Sequence, residues 1–310
     1  MSHRITGLIA APFTPFDEQG ELVLDAIGPY ARFLSEQGLA GAFVAGTTGE
    51  GMSMTTEERQ RLLEAWTGAS PEGFHVIAHV GHTCLGDCRH LAAHAQRSGA
   101  AGIGVMGPCF FRPATVEALV DWCAAVADAA PSLPFYYYHM PVMSGVNLPI
   151  EPFFEQARRR IPTMAGIKYT HEDLDEYARL LAAADGQYDI FFGRDQLLLT
   201  GLQAGAVAAV GSTYSFAAPL YLDLISAWRG AEMDRAAGLQ QIACDIIRAC
   251  QSTGAAELAG LKAVMNLAGL PVGPVRPPLT ELTDEQRSRL REEVEPLLAA
   301  GGCTTSTSQE

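Results

Sequence analysis

The chain has 310 residues, enough for one large domain or two ordinary ones with a substantial core. With 48% hydrophobic and 18% charged residues, general disorder is excluded. A net charge of −14, from 21 basic and 35 acidic residues, argues against a nucleic-acid surface or an anionic membrane as partner, because either needs a basic face.

Short apolar runs alternate with helical patterns along the chain. ITGLIAAPF (5–13) precedes a helix near 24–37, GAFVAG (41–46) one at 56–68, HVIAHVG (75–81) one at 84–98, and AGIGVMG (101–107) one at 114–129. PFYYYHM (134–140) precedes 150–159, MAGIKYT (164–170) precedes 172–184, YDIFFGR (188–194) precedes 195–203, and AVAAVGS (206–212) precedes 218–229. The runs are short, apolar on both faces and ended by Gly or Pro, as buried parallel strands are. Eight such units fit an α/β fold of the closed (β/α)₈ barrel type, the TIM barrel. An open dinucleotide-binding sheet is disfavoured, since the first strand ends in APFTPF, with prolines where a phosphate turn needs glycines. Three further helical stretches, near 233–252, 256–268 and 283–298, exceed the needs of a barrel. The expected division is a barrel over 1–230, a C-terminal helical extension over 231–298 and a frayed polar tail over 299–310.

Two further features bound the setting. The seven cysteines (84, 88, 109, 123, 244, 250, 303) form an odd set, MSHRITGLIAAPF lacks the apolar run of a signal peptide, and no stretch of 18 apolar residues exists. A cytoplasmic protein with free thiols and no membrane segment is expected. Of the 21 basic residues 19 are arginine, leaving only Lys168 and Lys262. Each amine invites the question of what it does that a guanidinium cannot.

In a barrel, chemistry sits at the C-terminal ends of strands and in the loops after them. Lys168 follows the apolar run MAGI at such an end. Partial desolvation there lowers the pKa of an amine, and a neutral amine attacks carbonyl carbon to form a Schiff base. Lys262 lies in GLKAVMNLAG outside the barrel and is expected to be a solvated or capping residue. Tyr138 ends the neighbouring strand. Alternation gives Tyr136 and Tyr138 one face and Tyr137 the other, so Tyr138 alone stands at the mouth, as a proton carrier. Gly46-Thr47-Thr48-Gly49 places two hydroxyls and several N–H groups in a tight turn that can receive a carboxylate or phosphate. It lacks the lysine of a nucleotide-binding loop.

The remaining polar groups are read structurally. His79, His82, Cys84 and Cys88 have metal-like spacing, but His79 and His82 straddle a strand end and should point apart, so no metal is expected. His90 and His94 are one turn apart on a face expected to be solvated. Asp195, before QLLLTGL, reads as a helix N-cap when taken alone.

Taken together, GTTGEG, the tyrosine before His-Met-Pro, GIKYT and GSTY resemble the superfamily of class I pyruvate lyases and synthases that includes N-acetylneuraminate lyase and dihydrodipicolinate synthase. The resemblance runs from about residue 5 to 298, and FYYYHMPVMSGV, GIKYTHEDL, FFGRDQLLL and AVGSTYSF are most similar to the sialic-acid lyase branch. It implies that Lys168 is the Schiff-base lysine and Tyr138 the proton-handling tyrosine. It also implies that Thr47 and Thr48 hold the pyruvyl carboxylate, with Thr170 nearby. Gly193, Asp195, Gln196 and Ser212 fall where the hydroxylated tail of a sugar acid is held. Pyruvate and a 2-keto-3-deoxy sugar acid are the implied ligands, a homotetramer the implied assembly, and no metal or organic cofactor is required.

Two departures bear on substrate. Gln196 stands where the sialic-acid enzymes typically carry glutamate, and an amide both donates and accepts where a carboxylate only accepts. Cys109-Phe110-Phe111 lacks the phenol of many relatives, and Met143 replaces the arginine of the synthase branch. The expected activity is cleavage of N-acetylneuraminate. The alternative is an aldolase or dehydratase for another 2-keto-3-deoxy sugar acid. A non-catalytic sugar-acid sensor is the reading from a different class.

Overall fold

The structure, a computed structural model, describes residues 4–303. Eight parallel strands close into one barrel in sequence order: β1 (Gly7–Ala10), β2 (Gly41–Val44), β3 (His75–His79), β4 (Gly102–Met106), β5 (Phe135–His139), β6 (Met164–Tyr169), β7 (Asp189–Phe192) and β8 (Ala208–Gly211). β8 pairs back onto β1, with Leu8 opposite Ala209 and Ile9 opposite Val210. This is the fold expected from the eight apolar runs, each trimmed at one or both ends. β1, for example, stops at Ala10, because Pro12 in the following turn has no N–H to give to a ladder.

Helices cover the outside: α1 (Ile27–Glu36), α2 (Thr56–Ala69), α3 (Leu85–Arg97), α4 (Val116–Ala127), a single turn α5 (Pro141–Ser144), α6 (Ile150–Arg160), α7 (Leu174–Ala184), α8 (Leu198–Gln203) and α9 (Tyr214–Arg229). The turn α5 has no counterpart in the sequence expectation. α9 begins four residues before the expected start at 218. Pro219 marks the difference: it lies inside the helix, and the chain accommodates it with a kink at Ala217.

The side chains divide cleanly by strand alternation. Ile9, Phe43, Ile77, Met106, Tyr136, Tyr138, Phe191 and Val210 fill the barrel interior. Tyr137, Ile167, Tyr169 and Phe192 point outward into the larger core between strands and helices. Tyr136 closes the lower end, donating its hydroxyl to Asp189 at 3.0 Å, and Arg4 pairs with the same carboxylate at 3.3 Å.

Three more helices follow: α10 (Met233–Gln251), α11 (Glu257–Leu267) and α12 (Asp284–Ala300). They pack on α9 and on one another. α12 starts with a capping box, in which Gln286 N–H donates to Thr283 Oγ1 at 3.2 Å and Thr283 N–H to Gln286 Oε1 at 2.8 Å. Within the stretch expected to fray from 299, α12 continues to Ala300 and Cys303 is buried. The rest of that stretch, 304–310, lies outside the described residues. All seven cysteines are free, and among the described residues no helix is long and apolar enough to cross a membrane.

Candidate active site

Lys168 is the fifth residue of β6, between two residues that face the helices, so its side chain enters the barrel. It sits opposite Tyr138 of β5 and Phe191 of β7 in the strand register. Only 4% exposed, it places its Nζ 4.0 Å from the centre of the Tyr138 ring and 4.2 Å from that of Phe43. Burial brings its pKa down from the ordinary lysine value to about 7, against the pull of Asp195, which favours the ammonium. Phe43 has room there because residue 104 of β4 is glycine: a Cβ at that position would stand 2.5 Å from the ring.

The Tyr138 hydroxyl donates to Met140 Sδ at 2.9 Å and lies 3.3 Å from Thr47 Oγ1. Burial pushes its pKa up to about 12, with hydrogen bonding to Thr47 and Thr170 working the other way, so the group is a phenol. Thr47 and Thr48 face the same space from the turn after β2. That turn is closed by Glu50 N–H donating to Thr47 O and Gly51 N–H to Gly46 O, both at 3.0 Å. Glu50 itself is left-handed, with φ 52°.

Asp195 corrects the sequence expectation. It is buried and does not cap its own helix. Its carboxylate turns to the loop after β8, accepting from Thr213 N–H at 2.9 Å, Thr213 Oγ1 at 2.6 Å and Ser212 Oγ at 3.4 Å. Burial raises its pKa despite those donors and Lys168. The backbone of the same turn is fastened from outside: Gln240 of α10 donates to Asp195 O at 3.1 Å, and Cys244 to Gln196 O at 3.4 Å.

One cavity of about 250 Å³ at the C-terminal mouth is lined by all nine residues singled out from sequence: Thr47, Thr48, Tyr138, Lys168, Thr170, Gly193, Asp195, Gln196 and Ser212. Sequence reasoning missed Met140, Arg194 and the residues Gln251 and Glu257 of the extension, which also line it. Met140 directly follows the β5 residues Tyr138 and His139 and could have been included. Gln251 and Glu257 had no local signal, since they reach the mouth only through the packing of α10 and α11.

His79 is buried, with Nδ1 3.0 Å from Ala45 O, and His82 points instead toward Asp87 at 3.6 Å. His90 is exposed, but His94 is not the solvated residue expected: it is buried, with Nε2 2.8 Å from Glu64 on α2. Lys262 is corrected most sharply. It is 1% exposed and ion-paired with Glu50 at 2.8 Å.

With this geometry in hand, residues 4–297 match the dihydrodipicolinate synthetase family. The chain belongs to that family. N-acetylneuraminate lyase of Mus musculus is 37% identical to it over 286 residues, 91% of this chain and 89% of the relative. The structure of N-acetylneuraminate lyase from Proteus mirabilis superposes with a TM-score of 0.92 at 39% identity, covering 95% of this chain and 99% of that one. A catalytic lysine mutant of sialic acid aldolase from Ruminococcus gnavus superposes at TM-score 0.91 and 28% identity, covering 96% and 97%. Within the dihydrodipicolinate synthetase family framework, the mouth of this barrel carries an amide at Gln196, and the segments after β4 and β5 expose apolar side chains: Phe110 is 77% exposed, Phe111 85% and Met143 54%.

Proposed function

We propose that the chain is a Schiff-base-forming carbon–carbon lyase that cleaves N-acetylneuraminate to pyruvate and N-acetylmannosamine. The observation that carries this reading is Lys168: a buried amine near neutrality, beside a phenol and a hydroxyl-bearing turn in one small cavity. The relatives named above supply the substrate.

The substrate's carboxylate sits on Thr47 and Thr48. Lys168 attacks the C2 carbonyl and water leaves, forming a protonated imine. The Tyr138 phenol is too weak an acid to act as a free phenolate, so it relays: it accepts the C4 hydroxyl proton while passing its own toward the carboxylate beside Thr47. The C3–C4 pair moves into a C2–C3 double bond, the C2–N π pair moves onto the imine nitrogen and neutralises it, and the aldehyde departs. The enamine C3 recovers the proton, and water hydrolyses the imine to pyruvate and free Lys168. The protonated imine is itself the electron sink. Asp195, Gln196, Gly193 and Ser212 line the part of the cavity available to the hydroxylated tail.

Borohydride reduction in the presence of pyruvate, with peptide mass mapping, should place one adduct on Lys168. Its absence sinks the scheme. Turnover of N-acetylneuraminate, followed by pyruvate release, tests the substrate. The amide at Gln196 favours one second reading, an aldolase or dehydratase of another 2-keto-3-deoxy sugar acid, and a panel of such acids separates the two.

The same reading includes a homotetramer and a cytoplasmic setting. Phe110, Phe111, Val142 and Met143 leave exposed apolar surface beside the mouth, suited to contact between copies. Seven free thiols suit a reducing compartment. The division into a barrel to residue 230 and an extension beyond it belongs to this proposal too.

A further inference from the structure

Lys262 is far from the reacting amine in role, yet it joins three separate segments behind the carboxylate-binding turn. Its Nζ donates to Pro274 O at 2.7 Å and to Thr14 O at 3.0 Å, and its charge faces Glu50 Oε1 at 2.8 Å. The ring of Phe16 lies 4.6 Å away. Thr14 in turn donates its hydroxyl to Gly49 O at 2.6 Å. The second Glu50 oxygen accepts the Arg276 N–H at 2.8 Å. Thus both oxygens of Glu50 and the carbonyl of Gly49 are fixed from behind, by groups from the β1 loop and the C-terminal extension.

The sequence position of Glu50 sharpens the point. It holds a left-handed conformation, φ 52° and ψ 32°, immediately after Thr47-Thr48-Gly49. A turn that needed only this conformation would use glycine or asparagine. A glutamate there directs a carboxylate away from the cavity and into the interior. A buried ion pair is a poor source of stability compared with apolar packing of the same volume, but it imposes one geometry.

We propose that Lys262 and Glu50 are a positioning pair that locks the Thr47–Thr48 turn in the shape that receives the substrate carboxylate, an inference that rests on the function proposed above. Neither residue touches substrate. Their effect is confined to ligands that carry the carboxylate.

The test compares two carbonyl probes in borohydride trapping at Lys168: pyruvate, which carries the carboxylate, and acetone, which does not. In Glu50→Gln and in Lys262→Met, the pyruvate concentration for half-maximal trapping should rise on the order of tenfold, the scale of a weakened charge-assisted contact. Acetone labelling of Lys168 should be unchanged. Equal loss with both probes overturns the proposal, because a merely structural role would disturb Lys168 alike for each. Unchanged half-saturation by pyruvate overturns it as well. Should Lys262→Met not fold, Glu50→Gln decides alone, since it keeps the side-chain shape while removing the charge and one of the two acceptor oxygens. A wild-type chain that never traps pyruvate at Lys168 overturns the lyase reading itself, and is told apart because it fails before any substitution is made.

Discussion

Lys168 and Tyr138 face each other across the β5–β6 ladder, and the amine sits 4.0 Å from the centre of the phenol ring. The ring therefore does two separable things. Its face shields the amine from water, and its hydroxyl, turned toward Thr47, is the group assigned the proton relay in the proposed reaction. Each half of that arrangement has its own measurable consequence.

The shielding half predicts a pH profile. Lys168 is nucleophilic only when neutral, and its pKa is lowered to about 7 by burial. Below that value the neutral fraction, and with it the rate of pyruvate trapping, should fall roughly tenfold per pH unit. Above it the rate should level off. A midpoint near that of an ordinary exposed lysine would falsify the buried-amine account. Lys168→Arg should abolish trapping and turnover at every pH, since the guanidinium stays protonated.

The hydroxyl half predicts a split between steps. Tyr138→Phe keeps the ring over Lys168 and removes the relay. Turnover of N-acetylneuraminate should drop by about 10² or more, the usual scale for a lost proton-transfer group. Pyruvate trapping should be retained. If trapping and turnover fell by the same factor, Tyr138 would be serving imine formation and not cleavage.

Asp195 raises the Lys168 pKa while holding Ser212 and Thr213. Asp195→Asn removes an anion that favours the ammonium, so the midpoint of the trapping profile should move below 7. The variant should also lose about 1–3 kcal/mol of stability, as expected when charge-assisted hydrogen bonds are weakened in a buried site. Parallel pH titration and urea unfolding measure the two effects. A midpoint that moved upward would contradict the electrostatic assignment.

A distant control separates stability from chemistry. Thr283→Ala removes the capping box of α12, and urea unfolding should register a loss of about 1 kcal/mol. Trapping by pyruvate should not change. Altered trapping in this variant would show that α12 is coupled to the mouth.

Much of this was legible in the sequence, for identifiable reasons. The barrel was readable because its strands are buried on both faces and so appear as continuous apolar runs. Lys168 and Tyr138 were readable because a strand end defines where a side chain points. What failed were residues whose partners are remote in sequence. Asp195 has the local grammar of a helix cap, but its donors come from Ser212 and Thr213. His94 looked solvated because helix periodicity says nothing about Glu64 on the neighbouring helix. Lys262 looked like surface because its acceptors, Thr14, Glu50 and Pro274, belong to three separate segments.

Both lysines of the chain are buried, Lys168 at 4% and Lys262 at 1% exposure. Among the described residues the outer surface therefore offers arginine as its long cation and no side-chain amine. A small acylating reagent should reach Lys168 through the mouth of the native barrel, as carbonyl probes do, whereas acylation of Lys262 would date an opening event. Lys168 reports access to the barrel mouth, and Lys262 reports separation of the C-terminal helices from the first two loops. The two masses would separate entry into the open mouth from the coming apart of the fold, a reading built into its own composition.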